Sequence, residues 1–149
     1  MADYMGTRVE FGGIIRARDL DRLAGVMLHN GRDELIAAAR EERAALTCGQ
    51  TAYGMASELC STLAELGLSY RRHSEAKYDR SVDVEMFEPE TGKYLSATSD
   101  HDGEALLSLR SLREIKATGG DLDSAIARLE RIEKPLPPLT IARERGQGR

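Results

Sequence analysis

The spacing of apolar positions changes along this chain, and each change marks a new element. Residues 7–16, TRVEFGGIIR, mix β-branched and aromatic residues and read as a strand. The Gly12-Gly13 pair inside it signals a bulge or the close approach of another backbone. From Asp19 the period lengthens. Leu20, Leu23, Ala24, Met27 and Leu28 share one helical face, and Asn30-Gly31 ends it. Residues 32–49, RDELIAAAREERAALTCG, predict a helix from their Ala, Leu, Glu and Arg content, with Asp33 and Glu34 at the positive end of its dipole. Residues 47–67 predict another. Thr47 and Gln50 have capping-box spacing, Ala52, Met55, Ala56, Leu59, Leu63 and Leu66 form a stripe, and Gly67 terminates it. LSYRRH, residues 68–73, reads as a second strand.

Period two then returns in SVDVEMFE and KYLSATS, joined by Pro89-Glu90-Thr91-Gly92. Pro89 presets φ and Gly92 supplies a positive φ, so the segment 82–98 predicts a hairpin. With residues 89–92 as the loop, Glu88 faces Lys93, Phe87 faces Tyr94, Met86 faces Leu95, Glu85 faces Ser96, Val84 faces Ala97 and Asp83 faces Thr98. Alternation sorts Val82, Val84, Met86, Leu95 and Ala97 to a core face, and Asp83, Glu85, Phe87, Tyr94, Ser96 and Thr98 to an outer one.

EALLSL suggests a further short strand, and SLREIKATGG a short helix with Ser111 and Glu114 at capping-box spacing. Leu122, Ile126, Leu129 and Ile132 give a last helix, which PLPPL ends because proline cannot continue it. Strands and helices are segregated rather than alternating. The expected fold is therefore α+β: an antiparallel sheet of three to five strands, packed on one face by three to five helices. Residues 1–134 are expected to form a single globular domain, and residues 135–149 a Pro-rich, then Arg/Gly-rich tail.

Composition sharpens this picture at two points. The chain has 149 residues, no Trp and two Phe, so its core rests on Leu, Ile, Val, Ala and Met. Its charge is uneven. Residues 74–104 hold nine acids and three bases, while the net charge of the whole chain is −4. The hairpin region is thus acidic, and the last eleven residues, with three Arg and one Glu, are basic. The N-terminus lacks a secretory pattern and no apolar run approaches membrane-spanning length. Cys48 and Cys60 fall in segments read as helical, and both are expected to be reduced and buried. These features point to a cytoplasmic protein, with a host cytoplasm as one possibility.

Candidate chemistry is sparse. Phe87 and Tyr94 beside Asp83 and Glu85, with Glu88 and Glu90 at the turn, are either a solvated face or a partner-binding surface. As a fastener alone, the aromatic pair contributes roughly 0.2–1 kcal/mol. As a recognition surface it suits a Lys- and Arg-rich protein partner, such as one that handles nucleic acid. Asp100, His101, Asp102 and Glu104 form the densest polar cluster and are the candidate metal or acid/base site, against the alternative of a plain turn. Gly12-Gly13 lacks the pattern of a phosphate loop, and the acidic balance argues against nucleic acid as the direct ligand. No cofactor is expected. Three readings follow: a non-catalytic binding protein of the inhibitor, immunity or anti-defence type (anti-CRISPR proteins among them), a small metal-assisted hydrolase using residues 100–104, and an oligomerisation module using the apolar surplus of the Ala-rich helix 33–46 and the stripe on 51–66.

Overall fold

A computed structural model describes residues 4–52, 55–75, 83–100 and 104–143 of the chain. Its spine is a long strand, β1 (Tyr4–Arg16). On one side β1 pairs antiparallel with β2 (Ala45–Ala52), and on the other with β3 (Ser69–Ser74). The sheet continues through β4 (Asp83–Glu88) and β5 (Lys93–Ser99) to the two-residue β6 (Ala105–Leu106). A seventh strand, β7 (Leu139–Ala142), runs parallel to the end of β1 beyond its pairing with β2. The helices are α1 (Leu20–Val26), α2 (Gly31–Arg40), α3 (Ser57–Glu65), α4 (Leu109–Thr118) and α5 (Leu122–Glu133). The α+β architecture is as expected, with a larger sheet of seven strands. None of these helices is long and apolar enough to cross a membrane.

Register explains where the helices go. Val9 and Phe11 on β1 are aligned with Arg72 and Tyr70 on β3, and these with Glu85 and Phe87 on β4. This face carries the main core, where Val9, Phe11, Tyr70 and Phe87 meet Leu23, Leu35, Leu59 and Leu63 from α1, α2 and α3. Each such side chain contributes roughly 1.5–3 kcal/mol on burial. The opposite face carries a second cluster, in which Val84, Met86, Leu95 and Ala105 pack against Ile132 of α5. The helices are therefore shared between two faces, a correction to the single covered face expected: three lie over the β1–β3 side, and α5 lies beneath β4–β6.

Two segments differ from the sequence reading. Helix α2 stops at Arg40, and residues 45–52 form β2 instead of continuing as helix. No Gly or Pro marks the stop, because Glu42 itself takes the left-handed conformation at φ 54°. Arg43 N then bonds back to Ala38 O at 3.0 Å. The strand is held by β1 pairing and by Glu34, which accepts from Leu46 N (2.8 Å) and from both Arg43 Nη atoms. Tertiary pairing thus outweighs the helical propensity of this stretch. Cys48 accordingly sits exposed on a strand rather than buried on a helix, while Cys60 is buried on α3 as expected. Of the stripe considered for oligomerisation, Ala56, Leu59 and Leu63 lie in the main core, while Met55 stays exposed.

Leu139–Ala142 forms β7, although the prolines before it read as the start of a tail. Leu139 is buried in the main core, and Gly13 N donates to Pro138 O at 3.2 Å. The Gly pair in β1 is the place of close approach that the sequence suggested. A Cβ at Gly12 would overlap the Pro137 carbonyl, and Gly13 has φ +120°. Gly12→Ala is expected to cost about 1–3 kcal/mol through this overlap. Gly25→Ala, where a Cβ meets open space in α1, should instead stabilise by up to about 1 kcal/mol. Urea denaturation checks both, and shifts of the same sign would contradict the close approach.

Candidate functional site

The hairpin folds in the register read from its sequence, from Asp83 opposite Thr98 to Glu88 opposite Lys93. Val84, Met86 and Leu95 face the second core cluster as expected, while Val82 lies outside the described residues. The other face divides in two. Its β4 half turns inward, where the main core begins, and its β5 half stays open.

Phe87 is 6% exposed, a correction to its place on an outer face. It lies between two rings: Tyr70 at 5.8 Å, stacked, and Tyr94 at 4.8 Å, tilted. The three rings run from the core to the surface, and Tyr94 at the end is 55% exposed. Pairs in such offset or tilted geometries add about 0.5–1.5 kcal/mol beyond burial. Tyr94 is therefore an exposed ring on a rigid base. Beside it on β5, Ser96 and Thr98 are exposed, and Leu106 of β6 continues the shelf next to Thr98.

The acids of this region have internal partners. Arg72 projects into the same face from β3 with its side chain 3% exposed. Its guanidinium reaches Asp83 Oδ1 at 3.3 Å and Oδ2 at 3.4 Å, bonds Ser74 Oγ, and lies 3.9 Å from Glu85. Glu85 also accepts a 2.8 Å hydrogen bond from the Tyr70 hydroxyl. Burial, the nearby Cys60 thiol and the Glu85 carboxylate push the Tyr70 phenol well above its usual range, so it remains a donor. Glu88 points to the opposite face, where Arg131 of α5 binds it through Nε at 3.1 Å and through Nη2. That guanidinium holds the Glu88 carboxyl below the usual carboxylate range. Glu90 is exposed in the turn.

The 100–104 cluster is described in part, because His101 and Asp102 lie outside the described residues. Asp100 and Glu104 form a backbone and side-chain turn: Asp100 N donates to Glu104 O at 3.0 Å, and Glu104 N to Asp100 Oδ1 at 2.8 Å. The Asp100 carbonyl is 3.1 Å from Nε2 of the buried His73. Among the described residues, no three His, Cys, Asp or Glu side chains converge as a metal site would require.

Two features escaped the sequence reading. One is Arg72 itself, whose signal was its period-two relation to Tyr70 in a strand predicted to adjoin an acidic hairpin. The other is an open cleft of about 540 Å³ on the far face of β2–β1–β3, lined by Arg8, Cys48, Gln50, His73 and Glu75. It was hidden because β2 read as helix. Its lining mixes charges of both signs, with Arg8 3.9 Å from Glu10 at its side.

Comparison with protein-family models, curated proteins and solved structures finds no match to this chain.

The two cysteines give a direct check of these placements. Burial pushes the Cys60 thiol up to about 11, whereas Cys48 is exposed on β2. At neutral pH a maleimide should modify Cys48 at once and Cys60 after unfolding, as peptide mass mapping would show. Rapid labelling of Cys60 in the folded protein would contradict the packing of α3 on Tyr70.

Proposed function

We propose that this chain is a non-catalytic protein-binding module that engages a basic protein surface through the open shelf of β5 and β6. The observation that carries the reading is Tyr94, an exposed ring held by the Phe87–Tyr70 stack on the strand pair that also carries Asp83 and Glu85. Hot spots of protein interfaces are enriched in such aromatic anchors. The ring face accepts an arginine or lysine of a partner, worth about 0.5–1 kcal/mol at an exposed site and more when desolvated. Glu90 lies at the tip of the same hairpin, and Asp83 and Glu85 together carry two negative charges against the single charge of Arg72. The shelf therefore keeps an acidic balance after its internal pairing. Phe87 and Glu88 act from beneath: Phe87 fixes Tyr94, and Glu88 ties the hairpin to α5.

The partner chemistry this surface suits is that of a cytoplasmic protein that itself grips phosphates. A module bound there would compete with nucleic acid for the same cations, which is the action of an inhibitor or anti-defence protein.

The test is affinity capture from cognate lysate with the wild type and a Tyr94→Ala/Glu90→Lys variant, each verified as folded by circular dichroism. The reading predicts a basic protein retained by the wild type, weakened by added salt, and bound at least about tenfold more weakly by the variant. Equal retention by both proteins would sink the assignment of the shelf.

A further inference from the structure

Among the described residues, half of the large apolar side chains left exposed lie within residues 106–126: Leu106, Leu109, Leu112, Leu122 and Ile126. Four of them belong to α4 and α5. No residue of α4 is buried, although Leu109, Leu112 and Ile115 form an apolar stripe at helical spacing. Leu109 is 61% exposed. A ten-residue helix is marginal in water, and most helical stability comes from packing such a stripe. Its ends are nonetheless well made. Ser108 Oγ accepts from Ser111 N, one turn before the cap expected at Ser111, and Gly119 closes the other end at φ 69°.

On α5 the side facing the sheet is satisfied. Ile132 is fully buried, Leu129 packs with it, and the cations Arg128 and Arg131 reach Ser96 O and Glu88. Toward the N-terminus of α5 the same stripe continues as Leu122 and Ile126, which stay exposed, with Asp123 and Glu130 at neighbouring helical positions. On α4 the positions flanking the stripe are cationic: Arg110, Arg113 and Lys116, against one acid, Glu114, which lies 3.4 Å from Arg110. One uncovered stripe is thus bordered by positive charge and the other by negative charge.

We infer that these two stripes are the halves of a self-complementary interface, and that the occupant is a second copy of this chain. In a two-fold dimer α4 of one protomer lies on α5 of its partner, and the same contact recurs on the other side of the axis. Leu109 and Leu112 then cover Leu122 and Ile126, while Arg113 and Lys116 approach Asp123 and Glu130. A like pairing of α4 on α4 would set cations against cations, so charge selects the α4–α5 arrangement. The proposed partner shelf at Tyr94 is a separate surface, so the two ideas stand independently.

The experiment is the mass in solution by sedimentation across the micromolar range, with circular dichroism to verify folding. The wild type should have twice the mass of the chain. Ile126→Glu, at an exposed position, should give a folded monomer. Reversing the cationic flank (Arg113→Glu/Lys116→Glu) should weaken dimerisation about tenfold or more, and adding Asp123→Lys/Glu130→Lys should restore it. A monomeric wild type would overturn the inference. So would a dimer that is indifferent to Ile126→Glu, or a loss on flank reversal that the opposite reversal fails to repair.

Discussion

A guanidinium sealed into the face of a sheet must be surrounded by acceptors, and Arg72 imposes that condition on this fold. Leaving a buried charge unpaired costs several kcal/mol, far more than any single surface contact returns. Here the acceptors come from β3 and β4: Ser74 Oγ, both oxygens of Asp83, and Glu85 at longer range. Glu85 stands directly opposite Arg72 and Asp83 opposite Ser74 in the strand register. A slip of one residue would send both carboxylates to the other face and strand the cation. Electrostatic satisfaction and the burial of Phe87 against Tyr70 therefore select the same register. Much of the negative charge of this hairpin serves the fold before it serves any partner.

The neighbouring arginine performs the complementary task on the other face. Arg71 donates through Nε to Ile132 O at 2.9 Å and through Nη2 to Lys134 O, at the carboxyl end of α5. A cation there satisfies terminal carbonyls and complements the helix dipole. Two adjacent residues of β3 thus anchor opposite layers, the acidic strand β4 through Arg72 and helix α5 through Arg71. This division leaves uncovered ground diagonally: the Tyr94 shelf on one face, and the cleft with Arg8 and His73 on the other. The shelf proposed for a basic partner lies where the helical layer over the main core ends.

Period two made the hairpin legible down to each cross-strand pair, since turn chemistry and alternation agree there. The helices of the last third were legible from their apolar stripes and from the Gly or Pro that follows them, although α4 is capped by Ser108, one turn before the expected Ser111. What failed was context. Residues 45–52 alternate buried and exposed, yet follow a run of strong helix formers whose end is set by a left-handed Glu42. Nothing local announces that conformation. Strand β7 hid behind prolines, because its partner is the end of β1, more than a hundred residues earlier. Of the candidate site, the identities and spacing of the acids were visible, but their partners were not. Two adjacent Arg in a predicted strand do not reveal which face the neighbouring helices will cover.

The most direct test of the account is a double-mutant cycle in urea between Arg72→Leu and the neutralised pair Asp83→Asn/Glu85→Gln. If the acids are the counter-charge of a buried guanidinium, Arg72→Leu alone costs about 3 kcal/mol. The combined protein should then be more stable than the sum of the two changes predicts, by about 1 kcal/mol or more. Additivity to within about 0.5 kcal/mol would contradict the account, because it would mean that the hairpin acids owe nothing to Arg72.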